Sequence, residues 1–214
     1  MHQPMTVISM RRRVLVAMLA LAGLAGVASC GGGSSNPFDN PDSIVNPPGA
    51  TGQKLSFIYY QQCVNPIFLA ALQVNHGGTI STSTCAGGGC HDNASGTGGA
   101  FRIIPSATAL SVSTAGLGVT ADVARTSDMY KNFYSSQGEV VLSDAMESRL
   151  LTKPMVNGVL HGGGLIFDSA SNPNVQILTY WITHPMPQGQ DEFSTAANNM
   201  FSNGDPATGT CNTN

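Results

Sequence analysis

Apolar residues recur at helical spacing in the stretch KLSFIYYQQCVNPIFLAALQV, residues 54–74. Leu55, Ile58, Tyr59 and Cys63 fall on one face of a helix that has about 3.6 residues per turn. Pro66 lies further along the same run and should kink or end a helix, because it lacks a backbone N–H. We therefore predict one kinked helix or two short helices over residues 56–72.

Three later stretches also predict helices. TADVARTSDMYKNFYSS, residues 120–136, has an amphipathic pattern with Thr120 as its N-cap. SDAMESRLLTKP, residues 143–154, predicts a short helix capped by Ser143 and ended before its proline. NPNVQILTYWITH, residues 172–184, places Leu178 and Trp181 on an apolar face, and we predict that it forms the C-terminal core helix.

The helical pattern is lost between and after these stretches. Residues 75–99 are rich in glycine and show no apolar periodicity, so we predict an irregular loop held by something other than backbone ladders. The chain after Pro185 is polar and irregular as well. The fold class that this pattern predicts is mainly α, one helical domain with long irregular glycine-rich loops.

A different apolar pattern stands at the N-terminus. Arg11, Arg12 and Arg13 precede VLVAMLALAGLAGVA, residues 14–28, an apolar run of about 15 residues where a membrane span needs about 20. We interpret residues 1–29 as a signal peptide. The letters VASC, which end at Cys30, resemble the lipobox of bacterial lipoproteins; this implies cleavage before Cys30 and lipid attachment to it. By the same resemblance, Gly31 favours the outer membrane, facing the periplasm or the exterior.

Composition supports an exported protein and limits its partners. Residues 30–53 predict a lipidated N-terminus with a flexible tether, 54–190 a folded domain, and 191–214 a C-terminal tail. Hydrophobic residues make up 42% of the chain and charged residues only 10%. Loss of the signal peptide leaves six Lys and Arg against twelve Asp and Glu. This balance excludes a nucleic-acid binder, and an acidic surface suits a basic protein partner.

Four cysteines remain once Cys30 is set aside, and free thiols are not expected in an oxidising compartment. In one arrangement Cys85 pairs with Cys90 and Cys63 with Cys211. In the other, Cys85 and Cys90 carry the thioether bonds of a haem, and a Cys63–Cys211 disulfide ties the C-terminal tail to the first helix. The even count is compatible with both arrangements.

The stretch CAGGGCHD, residues 85–92, carries the main chemical signal. Covalent haem attachment needs two sulfurs at one porphyrin edge and an imidazole at the iron, which the order C-x-x-C-H supplies. Here four residues separate Cys85 from Cys90, and their three glycines give the longer loop the freedom to place both sulfurs. The segment resembles the C-x4-C-H variant of c-type cytochrome attachment sites, which implies that His91 is the proximal ligand. A small disulfide loop is one alternative; a zinc site is another, although the usual second ligand pair is missing.

The order of features over residues 55–187 resembles the cytochrome c domain superfamily. An apolar helix comes first, followed by Cys-His, a short helix, a glycine-rich stretch and a final helix containing LTYWI. SRLLTKPMVNGVLHGGGLIF, residues 148–167, is similar to cytochrome c-like domains of exported bacterial proteins, in which the loop before the last helix carries the second axial ligand. The resemblance implies a small cytochrome c-like helical domain with one covalently bound haem c. The segment 99–118 is longer than a minimal cytochrome c would have.

His161 is the favoured distal ligand in that loop, because the glycines beside it let the backbone approach a flat cofactor closely. Met155 is the alternative and would give a His/Met site of higher potential. Met186 comes later in the chain than the usual position of this ligand. We expect His76 and His184 to lie at capping or solvent-exposed positions.

The function expected from these features is electron transfer. The chain resembles an exported, lipid-anchored monohaem c-type cytochrome that carries single electrons between envelope redox partners. It is more typical of an electron carrier than of a catalyst, and no G-x-S-x-G nucleophile elbow is present. The alternative is a haem-free, disulfide-stapled envelope lipoprotein that acts as a binding or assembly module.

Overall fold

A computed structural model describes residues 52–214. The predicted signal peptide, Cys30 and the tether up to residue 51 lie outside the described residues. None of the helices in the described part of the chain has the length and hydrophobicity that a membrane span requires.

The first helical segment is one run of three short pieces, which are helix α1 (Phe57–Tyr59), a π-helical turn (Tyr60–Val64) and helix α2 (Asn65–Leu69). Ser56 caps its start, because its Oγ accepts the N–H of Tyr59 at 3.0 Å. Pro66 stands in the first turn of α2, where a missing N–H is tolerated. The predicted interruption near this proline is therefore present as a π-helical turn within a continuous run.

A β-hairpin follows directly and contradicts the predicted fold class. Strands β1 (Leu72–His76) and β2 (Thr79–Ser83) pair in antiparallel register around a turn at Gly77 and Gly78, both with positive φ. Glycine adopts a positive φ without steric cost, and two such residues match the turn of a two-residue β-hairpin. A second small sheet joins β3 (Val112–Ser113) to β4 (Gly116–Leu117).

The prediction of a mainly α protein is therefore wrong. Helices hold 31% of the described residues, and strands together with isolated β-bridges hold 13%, a mixed content. Part of the glycine-rich segment predicted to be irregular is held by the backbone ladder of β1 and β2. The helical pattern of the apolar residues did not reveal this hairpin, because β2 is exposed at four of its five positions and has no buried face.

The later α-helices lie near their predicted positions but are shorter. They are α3 (Ala121–Thr126), α4 (Asp128–Gln137), α5 (Arg149–Thr152) and α6 (Pro173–Thr183). The C-terminal tail, which was predicted to be irregular, contains a 3-10 helix (Thr195–Met200). Thr120 caps α3 as predicted. The predicted single helix is divided at Ser127, whose Oγ caps α4 by accepting the N–H of Tyr130. Helix α5 begins after Ser148, and Ser143 has a positive φ of 65° instead of the extended conformation typical of a helix N-cap.

The core lies between the first helical segment and helices α4 and α6. Trp181 is fully buried and its indole N–H donates to the carbonyl of Ser56 at 2.9 Å. Its ring lies 5.4 Å from Tyr60, and Tyr60 in turn meets Phe133 edge-on at 5.4 Å. Helix α6 is thus the core helix that its pattern predicted.

A disulfide between Cys63 and Cys211 fixes the C-terminal tail on the first helical segment. Its two Cα atoms lie 6.0 Å apart, and the tail also forms a bridge between Phe201 and Cys211. This bond is common to both cysteine arrangements that the sequence allowed.

Candidate functional site

The loop with the two remaining cysteines is ordered by its own backbone. The N–H of His91 donates to the carbonyl of Cys85 at 2.9 Å, which closes the loop of residues 85–91. The N–H of Gly98 donates to Cys90 at 2.8 Å and the N–H of Ile103 to His91 at 2.7 Å. These bonds hold His91 between the cysteine loop and the segment that follows it.

The loop forms one wall of a cavity of about 830 Å³. The hairpin, α5 and the loop before α6 supply the other walls. Its lining combines apolar side chains with a few polar groups. The thiol, imidazole and charged side chains in the lining are those of Cys85, Cys90, His91, His161, His76, Glu139, Arg149 and Lys153. The volume falls in the range of about 300–1,000 Å³ that holds small molecules and cofactors.

His91 is half-buried in this cavity with its ring tautomer fixed. Its Nδ1 lies 3.0 Å from the carbonyl oxygen of Phe101. Because a carbonyl only accepts, Nδ1 carries the proton, and Nε2 of the neutral ring keeps its lone pair. Burial lowers the pKa of His91 to about 4, and the nearby cations of Arg102 and Lys153 act in the same direction. His91 is therefore neutral at neutral pH, the form that binds a metal.

His161 has the same arrangement on another wall. Its Nδ1–H donates to the carbonyl of Gly164 at 2.7 Å, and the N–H of Gly164 returns a bond to the carbonyl of His161 at 2.9 Å. Burial lowers the pKa of His161, with Lys153 and His76 acting in the same direction. Asn75 and Leu165 exchange two backbone bonds at 2.8 and 3.0 Å, so the hairpin holds this loop in place.

The two imidazoles lie close together and nearly parallel. The ring centroids of His91 and His161 are 6.3 Å apart, and their planes differ by 9°. Neither Nε2 has a hydrogen-bond partner among the described residues. The structure thus brings together the predicted proximal ligand and the favoured distal ligand, 70 positions apart in the sequence.

Cys85 and Cys90 both line the cavity and are free thiols in the structure. Burial raises the pKa of Cys85 to about 12, with Cys90 adding to the effect, so its sulfur is a neutral thiol at neutral pH. The Sγ of Cys90 lies 3.8 Å from the Oγ of Ser83 in β2. Both sulfurs therefore lie on the cavity that contains the two histidines.

A zinc site is not supported by the donor set. Structural zinc takes four Cys or His ligands. In the described part of the chain, no three His, Cys, Asp or Glu side chains lie together as a metal-binding group.

The other residues considered as ligands lie elsewhere. Met155 packs against the hydrophobic core and does not line the cavity. Met186 is buried in the core. His184 is exposed and stacks on Tyr180 with ring centroids 3.9 Å apart, whereas His76 is exposed at the cavity wall.

The sequence did not indicate the charged part of the wall. Glu139, Arg149 and Lys153 line the cavity from α5 and the segment that follows α4. Burial raises the pKa of Glu139, although Lys153 and Arg149 oppose the effect. The only local signal is that Arg149 and Lys153 are spaced four apart, one helical turn, before the His161 loop.

Comparison with known proteins adds no relative. No protein-family model matches the chain, and no curated protein or solved structure is detectably similar to it.

Proposed function

We propose that the chain is an exported, lipid-anchored monohaem c-type cytochrome that carries single electrons between redox partners in a bacterial cell envelope. The observation that carries the proposal is the pair of parallel imidazoles, His91 and His161, 6.3 Å apart in a cavity that also contains Cys85 and Cys90. Export and lipid attachment rest on the sequence of residues 11–30.

The spacing of the two rings fits one metal ion between them. Two imidazoles that bind one ion from opposite sides through Nε2, with bonds of about 2 Å, have centroids roughly 6 Å apart. A haem iron needs only two ligands from the protein, because the porphyrin supplies the rest. The donor set that is too small for zinc is therefore sufficient for a haem.

The thiols fit covalent attachment. Cys85 and Cys90 would hold a haem by addition of each S–H across one vinyl group of the porphyrin; a C–S and a C–H bond would form, the S–H bond would break, and no oxidant would be required. Cys85 is kept in the neutral thiol form by burial. The cavity volume of about 830 Å³ is suited to a cofactor of this size.

A bound haem supplies a reversible one-electron couple whose potential depends on its ligands and surroundings. The chain's own residues set those conditions. The carbonyls of Phe101 and Gly164 hold Nδ1–H of each histidine and leave Nε2 for the iron. Phe101 packs against His91 with ring centroids 4.7 Å apart and places an apolar group beside that imidazole.

The first test is for covalent haem. The mature protein should be purified from a host with cytochrome c maturation and examined by the pyridine haemochrome assay. We expect one haem per chain that resists acid extraction, and its loss in Cys85→Ala/Cys90→Ala. A protein that carries no covalent haem in such a host contradicts the proposal and leaves the haem-free binding or assembly module as its function.

The second test identifies the distal ligand. His161→Ala should abolish the low-spin absorption spectrum, because the sixth coordination position loses its imidazole. His184→Ala is the matched control, since His184 lies outside the cavity lining. Met155→Ala tests the rival ligand; a loss of the low-spin spectrum in this variant, with His161→Ala unaffected, would show that Met155 is the ligand instead.

A further inference from the structure

Two glycines lie against the rings of the two histidines. A Cβ atom on Gly98 would come within 2.5 Å of Cε1 and 2.6 Å of Nδ1 of His91. A Cβ atom on Gly163 would come within 2.9 Å of Cε1 and 3.3 Å of Nε2 of His161. At each position the backbone touches an imidazole so closely that a methyl group has no space.

Backbone conformation does not explain these glycines. Neither Gly98 nor Gly163 has the positive φ that disfavours other residues, whereas Gly99 and Gly164 beside them do. An alanine could adopt the backbone angles of either position. The requirement for glycine at these two sites comes from the ring contact, and at Gly98 also from the carbonyl of Cys90 at 2.8 Å.

Each ring is then restrained in two ways. A hydrogen bond from Nδ1 to a backbone carbonyl fixes one edge of the ring, with Phe101 as acceptor for His91 and Gly164 for His161. A glycine backbone against the ring limits its rotation about the Cβ–Cγ bond. The outcome is two planes only 9° apart, although they come from separate loops.

We infer that Gly98 and Gly163 are positioning residues, which hold the imidazole planes of His91 and His161 parallel by lying against the rings. The consequence for iron rests on the proposed function. Parallel axial imidazoles split the iron d orbitals of π symmetry, whereas perpendicular ones leave them nearly equal in energy. Ring orientation therefore affects the electronic state of the iron, in addition to the identity of its ligands.

The electron paramagnetic resonance spectrum of the oxidised holoprotein tests the inference. Parallel planes give a rhombic low-spin spectrum with three resolved g values, which we expect for the wild type. Perpendicular planes give a spectrum dominated by one larger g value. A wild-type spectrum of the second kind would overturn the inference without any variant.

Alanine variants then assign the effect to the ring contacts. Gly98→Ala and Gly163→Ala should shift the largest g value upward or reduce the rhombic signal, with the larger change for Gly98→Ala because its contact is closer. Gly89→Ala and Gly162→Ala are the controls, since both positions lack a positive φ and have open space around them. Equal spectra in all five proteins, or equal changes in all four variants, would overturn the inference.

A haem-independent measurement separates this inference from the proposed function. In protein made without haem, nuclear Overhauser contacts should join the Hα protons of Gly98 to Hε1 of His91, and those of Gly163 to Hε1 of His161. Their presence in a chain that never acquires haem would refute the cytochrome and keep the ring contacts. Their absence, in a protein that does acquire haem, would refute the ring contacts and keep the cytochrome.

Discussion

Glu192 is a buried carboxylate that joins three parts of the chain. Its Oε1 accepts the Tyr130 hydroxyl at 2.8 Å and Nε–H of Arg125 at 3.1 Å, and its backbone carbonyl accepts the N–H of Phe57 at 2.8 Å. Burial alone would raise the pKa of Glu192. Hydrogen bonds from its own backbone, Tyr130 and Arg125, together with the charge of Arg125, outweigh burial and lower the pKa. The ionised form is therefore the one that stabilises the fold.

The lowered pKa predicts how stability depends on pH. A carboxyl whose pKa is lower in the folded state contributes stability above its unfolded pKa, and this contribution is lost as the pH falls through the folded pKa. Glu192→Gln should therefore be less stable than the wild type at neutral pH, and the two should converge in acid. Urea unfolding of both proteins from neutral pH to about pH 3 measures this. A constant difference over that range would show that the charge of Glu192 is not involved.

At the scale of elements, the segment before α5 shows why a cap predicted from sequence was misplaced. Ser143 matches the composition of an N-cap, but its φ of 65° turns the chain away from a helix. The serine that makes the hydrogen bonds of this segment is the buried Ser148. Its Oγ accepts the N–H of Val141 at 2.9 Å and donates to the carbonyl of Asp144 at 2.7 Å. The hydroxyl that organises this segment therefore lies five residues later than predicted.

Two substitutions distinguish these positions. Ser148→Ala should lower the free energy of unfolding by about 1–3 kcal/mol, because the N–H of Val141 loses its partner in a buried place. Ser143→Gly should leave stability unchanged or raise it by up to about 1 kcal/mol, because glycine adopts a positive φ without steric cost. Thermal unfolding followed by circular dichroism compares them. A larger loss for Ser143→Gly than for Ser148→Ala would favour a helix that begins at Ser143.

Each element that was predicted from the sequence has a buried apolar face. The apolar spacing around Trp181 indicated α6, since that spacing is what packs the helix into the core. The β1–β2 hairpin has no comparable signal, because β2 is largely exposed and its order depends on Gly77, Gly78 and the pairing with β1. The adjacent glycines Gly77 and Gly78, followed by the β-branched residues Thr79 and Ile80, were the available clue.

The residues of the candidate site likewise include some that the sequence could predict and some that it could not. Cys85, Cys90 and His91 form a local motif, so the letters alone point to them. His161 could be favoured only through its glycine-rich loop and the resemblance, because its distance from His91 depends on the hairpin that holds Leu165. The contact of Gly98 with His91 could not be predicted, since a glycine required by packing looks the same in sequence as one required by a turn.

For the whole molecule, net charge and local charge point in different directions. The predicted mature chain has twice as many acids as bases, which suggested a basic partner. The cavity wall carries Arg149 and Lys153 against Glu139, whose pKa is raised by burial. Neither cation forms an ion pair within the described residues, whereas Arg125 and Lys131 do. The lining of the cavity therefore has more basic than acidic side chains, whereas the predicted mature chain as a whole has an excess of acids.

The Cys63–Cys211 disulfide acts on the largest scale, because it joins residues 148 positions apart. A bond that closes so long a loop restricts the unfolded chain, and loss of such a bond typically costs about 2–4 kcal/mol. It also keeps the tail against the first helical segment, where the backbone carbonyl of Asn212 accepts a hydrogen bond from the hydroxyl of Tyr59.

We expect Cys63→Ala/Cys211→Ala to lower the free energy of unfolding by about 2–4 kcal/mol. The control is Cys85→Ala/Cys90→Ala in haem-free protein, which also replaces two cysteines with alanine but removes no crosslink. Urea unfolding of both double variants under non-reducing conditions makes the comparison, and equal losses would mean that the crosslink itself contributes little.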